Sequence, residues 1–247
     1  MDKRIAVVTG ASRGIGRAAA LALAQAGCHV VAIARTEGGL TELDDEIQAV
    51  GGSSTLVPMS VTDGEAIDRL GGALFERYGR VDALLANAGI LGPMSPLNVI
   101  DPKKWDEVFA VNVTANWRLI RSLDPLLRQS AAPRALFVSS GAAHKCRAYW
   151  GPYSASKAAL EALVRTYAHE VETFGIKANL VNPGPLRTRM RAQAMPGEDP
   201  LTLQTPEDLA PHIVAALDPA ETRTGLIYDF PSLAWLEPRA PEPVRAD

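Results

Sequence analysis

Tyr153 and Lys157 stand four positions apart in a stretch, 153–174, whose apolar residues recur at helical spacing. That interval puts both side chains on one helix face, a turn apart. A free phenol titrates near ~10 and is a poor acid–base group at neutral pH; an ammonium one turn away stabilises the phenolate and lowers that value. A proton donor and acceptor tuned towards neutrality suits the interconversion of a carbonyl and an alcohol. Taken alone, the pair is also what a buried tyrosine beside a surface lysine looks like.

A second group of residues follows directly on a short apolar run near the start: Thr9-Gly10-Ala11-Ser12-Arg13-Gly14-Ile15-Gly16, opening into a helical pattern. Gly10 suits the tight turn after a strand, and Gly14 and Gly16 let backbone and helix approach a phosphate, which then sits on the positive end of the helix. The ending Gly-Lys-Ser/Thr is missing, so a triphosphate P-loop is not indicated. At the end of the next apolar run, an acidic residue would accept from an adenosine ribose and repel a 2′-phosphate. This chain has Ala34-Arg35-Thr36 there. Arg35, and Arg13 in the glycine turn, carry forked donors suited to phosphate. The reading is NADP(H) over NAD(H); two solvated surface arginines are the alternative.

These groups need a scaffold. Apolar runs at 5–8, 29–34, 55–58, 83–86, 135–139 and 178–181 are mostly uninterrupted, as parallel strands covered on both faces require. Between them, 15–26, 39–50, 63–78, 102–129 and 153–174 have helical length and spacing. The alternation predicts an α/β fold, a doubly wound parallel sheet in a single domain over 1–230. The proline-rich stretch 185–206 reads as a substrate lid with little regular structure, and 231–247 as a C-terminal tail.

The motifs extend through most of the chain. After the fourth run comes Asn87-Ala88-Gly89; further on come Val111-Asn112-Val113, Ser139-Ser140, Tyr153-Ser154-Ala155-Ser156-Lys157 and Asn182-Pro183-Gly184-Pro185-Leu186-Arg187-Thr188. In order and spacing, with the T-G-x-x-x-G-x-G turn, they resemble the classical short-chain dehydrogenase/reductase family and a less characterised bacterial reductase subgroup within it. The resemblance implies a Rossmann-like fold and a catalytic group of Asn112, Ser140, Tyr153 and Lys157. Ser140 is preferred to Ser139 because it lies thirteen positions before Tyr153. In that scheme Tyr153 protonates the carbonyl oxygen, Ser140 orients it, Lys157 also bonds the nicotinamide ribose, and Asn112 holds a water linking Lys157 to solvent. The cofactor site would comprise Gly10, Ser12, Arg13, Gly14, Ile15, Gly16, Arg35, Ser60, Val61, Asn87, Ala88, Gly89, Tyr153, Lys157, Pro183, Gly184 and Thr188. Two departures stand out. Met59-Ser60-Val61 replaces the acidic residue that often meets the adenine, and 225–231 lacks the glycine pair that many relatives place after their last strand.

Composition narrows the classes. With 25 basic and 28 acidic residues the formal charge is −3, so there is no general attraction to nucleic acid or anionic lipid. The first apolar run is too short for a signal-peptide core or a membrane span, and Cys28 and Cys146 have neither ligand spacing nor a disulfide framework. The expectation is a cytoplasmic enzyme acting on a small carbonyl or alcohol. His29, His144, His169 and His212 are scattered and predict no metal site; His144, Lys145, Cys146, Arg147 and Trp150 lie where substrate would pass. Arg187, Arg189 and Arg191 read either as an anion site or as a solvated charge run. Ala158, Ala159, Ala162, Val164 and Ala168 lie on the faces of the second long helix away from Tyr153, which predicts a homodimer through 102–129 and 153–174, with a homotetramer open. An NAD-dependent alcohol dehydrogenase and a non-catalytic dinucleotide-sensing scaffold are the alternatives; all four members of the catalytic group are present, which counts against the scaffold.

Overall fold

Uninterrupted apolar strands need cover on both faces, and here they have it. The computed structural model describes residues 3–238. In chain order the main elements are β1 (Ile5–Thr9), α1 (Gly14–Gln25), β2 (His29–Ala34), α2 (Glu37–Ala49), β3 (Ser53–Pro58), α3 (Gly64–Tyr78), β4 (Ala83–Ala86), α4 (Pro102–Phe109), α5 (Ala115–Leu127), β5 (Arg134–Val138), α6 (Ala142–Lys145), α7 (Gly151–Glu170), β6 (Lys177–Asn182), α8 (Arg189–Ala194), α9 (Pro206–Ala216), β7 (Ile227–Asp229) and β8 (Ala234–Leu236). They form one sheet in the order β3-β2-β1-β4-β5-β6-β7-β8, parallel except for β8, which pairs antiparallel with β7. This is the doubly wound, Rossmann-like sheet expected. The strand order reverses between β1 and β4, where such sheets bind ligands.

Alternate residues of one strand feed opposite faces. Ala6 and Val8 join Leu40, Ile47, Leu209 and Ile213 on one side. Ile5 and Val7 join Ile67, Leu70, Leu119, Leu123 and Leu160 on the other. β1, β4 and β5 are buried along their whole length, and this rigid centre carries the candidate site at its C-terminal edge.

Four expectations need correction. The stretch 102–129 is not one helix: a π-helical turn, Ala110–Thr114, separates α4 from α5 and holds Asn112. The 185–206 segment, expected to hold little regular structure, contains α8 and a 3₁₀ turn, Pro200–Thr202. Thr188 caps α8 by accepting from the Arg191 backbone N–H. Directly after it α9 begins in a capping box of Thr205 and Asp208, a helix the apolar spacing did not announce. The tail enters the sheet, since Ala234–Leu236 forms the edge strand on β7; 239–247 lie outside the described residues. On α7, Val164 and Ala168 pack inside the chain, while Ala158 and Ala162 face outward.

Candidate active site

The cleft of about 590 Å³ above the sheet edge is lined by Ile15, Asn87, Pro183, Gly184 and Thr188 together with Ser140, Tyr153 and Trp150. β1 delivers the glycine turn. Gly10 and Gly14 have φ of +67° and +54°, the left-handed region in which a side chain is strained. Asn87, just past β4, ties the turn to its neighbour: its Nδ2 donates to the carbonyls of Thr9 (2.9 Å) and Gly10 (3.3 Å). Thr9 Oγ1 in return accepts from the backbone N–H groups of Asn87 and Ala88, both at 3.0 Å.

α1 begins at Gly14 with no side-chain cap and no acidic residue in its first turn. Its N-terminal N–H groups are therefore available to an anion. A Cβ placed on Gly14 would meet only Thr188 Cγ2, at 3.8 Å, so the space above the turn is open. Arg13 and Arg35 are exposed beside it, and among the described residues no side-chain hydrogen bond or ion pair engages either. Ser60 bonds Thr62 (2.8 Å), Val61 is half-buried, and the nearby Asp63 is committed to capping α3.

Tyr153 and Lys157 lie in the first two turns of α7, and Lys157 Nζ sits 5.7 Å from the Tyr153 ring centroid. The ammonium donates to the Val138 carbonyl at 2.7 Å. Full burial brings Lys157 down to about 8, with Glu161 opposing the shift. The Tyr153 phenol moves the opposite way from the sequence expectation. Burial raises it above its ordinary value, and a hydrogen bond with Ser140 draws it part of the way back. Desolvation of the phenolate outweighs an ammonium held by another acceptor.

Asn112 is wholly buried. Its Nδ2 donates to the Ile90 carbonyl and to Ser156 Oγ, both at 2.9 Å, and its Oδ1 accepts from the Ile90 N–H at 2.9 Å. The widened π turn brings this carboxamide beside Gly89. A Cβ there would lie 3.3 Å from Asn112 Oδ1 and 3.6 Å from Lys157 Nζ. Ser139 and Ser140 both border the cleft, but the Ser139 hydroxyl is committed to Glu161, to which it donates at 2.6 Å. Thus Ser140, Tyr153, Lys157 and Asn112 converge from β5, α7 and the π turn.

Other residues shape the site without a role read from the sequence, Thr9 and Asn182 among them although they stand inside its motifs. Thr9 locks the turn. Asn182 accepts from the Gly141 N–H (2.8 Å) and donates to Asp229 (2.6 Å), joining the ends of β5, β6 and β7. Leu91 and Ala194 are buried against Tyr153, with Met94, Trp150, Met190 and Met195 around them. Glu161 had one sequence signal, its position a helical turn after Lys157. Arg191 pairs with Glu198 through two bonds of 2.5 Å, and Arg187 donates to the Pro200 carbonyl at 2.8 Å, so both spend their charge within the segment 185–206. Arg189 has no contact that assigns it an anion. Among the described residues no cluster of three metal-ligating side chains occurs, and no helix is long and apolar enough to cross a membrane.

Fold and site together define a dinucleotide-binding oxidoreductase, and the comparisons agree. The model of the short chain dehydrogenase family matches residues 4–199. An uncharacterised Escherichia coli K12 oxidoreductase, YciK, is 36% identical over 233 residues, covering 93% of this chain and 92% of that protein. Two solved structures, each 36% identical and covering 93% of this chain and 97% of theirs, are a Shigella flexneri 2a short chain dehydrogenase complexed with NADP (TM-score 0.88) and one from E. coli CFT073 complexed with NADPH (TM-score 0.87). The chain belongs to the short-chain dehydrogenase family, alongside poorly characterised bacterial oxidoreductases.

Proposed function

We propose that this protein is an NADP(H)-dependent oxidoreductase that interconverts a carbonyl and an alcohol, with Tyr153 as its acid–base residue. The observation that carries the reading is that Ser140 and Tyr153 line one cleft with Ile15 of the glycine turn, while Lys157 lies buried beside Tyr153. The residues fit the dinucleotide. The uncapped start of α1 suits a pyrophosphate, and the open space at Gly14 leaves room for it. Arg13 and Arg35 suit a 2′-phosphate. The Shigella and E. coli relatives solved with NADP and NADPH support the same choice.

The nicotinamide, when bound, supplies or accepts the hydride. Tyr153 gives its phenolic proton to the substrate oxygen in reduction and takes it back in oxidation. Ser140 donates to the same oxygen, orienting it and stabilising the charge that develops there. Lys157, charged below about pH 8, offsets negative charge on the phenolate. Asn112 fixes the Ile90 backbone next to Gly89, which lies between Asn112 and Lys157, and a water bound there would serve as a proton relay. The substrate wall of Leu91, Met190, Ala194 and Trp150 favours a carbonyl compound with an apolar body.

The outward-facing Ala158 and Ala162 of α7 and the half-exposed Trp117 of α5 support a symmetric homodimer through these helices. The two free cysteines support a reducing, cytoplasmic setting.

Tyr153→Phe tests the reading. It removes the transferable proton and keeps the ring, so NADPH should bind as before while turnover of aldehydes and ketones falls by orders of magnitude. Near-normal turnover by that variant would refute the assignment.

A further inference from the structure

Glu161 is a buried carboxylate to which the proposed chemistry assigns no part. Only 6% of its surface is exposed, and a charge so placed needs partners for both oxygens. One oxygen, Oε1, accepts from Ser139 Oγ at 2.6 Å. The other, Oε2, lies 2.8 Å from His144 Nε2. Ser139 directly follows β5 and His144 lies on α6, so the carboxylate of α7 grips both ends of the segment 139–144. Ser140 sits inside that grip.

The segment needs an outside hold. α6 has four residues, too few for a helix to be stable alone. It follows Gly141 and ends at Cys146, whose φ of +42° is in the left-handed region, as is that of Tyr149 at +72°. Neither conformation is favourable for a side-chain-bearing residue. One further anchor, Asn182 Oδ1, accepts from the Gly141 N–H.

We propose that Glu161 is a positioning residue: its carboxylate clamps Ser139 and His144 and so holds Ser140 and α6 in place at the cleft. The inference rests on the catalytic reading of Ser140 and Tyr153. Glu161 has a second effect through charge. It lies one turn beyond Lys157 and favours the protonated ammonium, so the clamp and the lysine are linked electrostatically. The ionisable groups that face Glu161 are His144 from α6 and Lys157 and Arg165 from α7, with the Ser139 hydroxyl from the end of β5. Lys157 in turn faces Tyr153 and Glu161 on its own helix, and the Val138 carbonyl on β5.

Two variants of the full chain separate shape from charge. In Glu161→Ala without added cofactor, backbone amides 140–145 should exchange about tenfold faster or more, while α7 keeps its protection. With NADPH and a carbonyl substrate, kcat should fall about tenfold at an NADPH Kd unchanged within about twofold. Adding His144→Ala to Glu161→Ala should then cost little more, since both break one clamp. Glu161→Gln keeps the shape and removes the charge, so the alkaline limb of the kcat profile for reduction should move to lower pH, a shift that a purely structural role would not produce. Unchanged exchange in Glu161→Ala would overturn the clamp. Faster exchange with unaltered kcat and pH profile would overturn its catalytic role. If Glu161→Ala does not fold, Ser139→Ala and His144→Ala each remove one anchor; exchange unaltered in both overturns the inference. Failure of the underlying reading is distinct, because it appears as full turnover in Tyr153→Phe and leaves the exchange result intact.

Discussion

Replacing Gly16 with alanine puts the geometry of the glycine turn to a quantitative test. A Cβ at this third residue of α1 would run into the Gly10 carbonyl oxygen and lie 2.5 Å from Asn87 Nδ2. Neither neighbour can step aside freely. The Gly10 backbone is fixed at positive φ, and Asn87 is held by its bonds to Thr9 and Gly10. Overpacking of this kind costs roughly 1–3 kcal/mol. Loosening the Asn87 bonds adds about 1 kcal/mol for each that is lost. Alanine's better helix propensity returns about 1 kcal/mol. The net loss is about 2 kcal/mol, which for a chain of this size lowers Tm by roughly 4–8 °C. NADPH affinity should fall by about tenfold or more, because the turn that must approach the pyrophosphate is pushed out of place. Gly14→Ala is the informative companion. With its nearest atom 3.8 Å away it meets no clash, and it pays only the left-handed strain of about 1–2 kcal/mol. Thermal melts followed by circular dichroism and NADPH titration by fluorescence would decide the matter. A Gly16→Ala protein with Tm within about 1 °C of the parent and undiminished NADPH affinity would refute the steric argument.

Arg35→Asp should weaken NADPH by roughly 10- to 100-fold, the worth of one charge-assisted bond, and strengthen NADH; equal affinities for both cofactors in parent and variant would exclude the assignment. Lys157 is held at about 8 in the fold against an ordinary 10.5, so between those values the unfolded chain binds more protons and stability rises with pH. The cost of burying the charge, about 3 kcal/mol at most, is fully present below pH 8. Lys157→Met should therefore raise Tm at neutral pH and lose that advantage as pH approaches 10.5; an advantage independent of pH would contradict the shift. Sedimentation at micromolar concentration should give a dimer, and a monomer that turns over substrate would refute the pairing of α5 and α7 while leaving the site assignment standing.

Much of this protein is written locally in its chain. β2 and β4 can be bounded from their apolar runs, because a parallel strand covered on both faces is apolar throughout. Tyr153 and Lys157 share a helix face because they are four apart, and the glycine turn is contiguous in sequence. Three-residue β7 and β8 are too short to carry a period, and α9 hides behind a proline-rich approach. The π turn at Asn112 interrupts a helical pattern that reads as continuous, since its reason lies in the Ile90 backbone 22 positions away. Ser139 lies just past β5, His144 on α6 and Glu161 on α7, so no interval links them until those elements have packed. The phenol of Tyr153 shows the same division. The chain places a lysine where it can lower the phenol, but whether charge or desolvation prevails depends on how deeply the folded protein buries both groups and on which acceptor holds the ammonium.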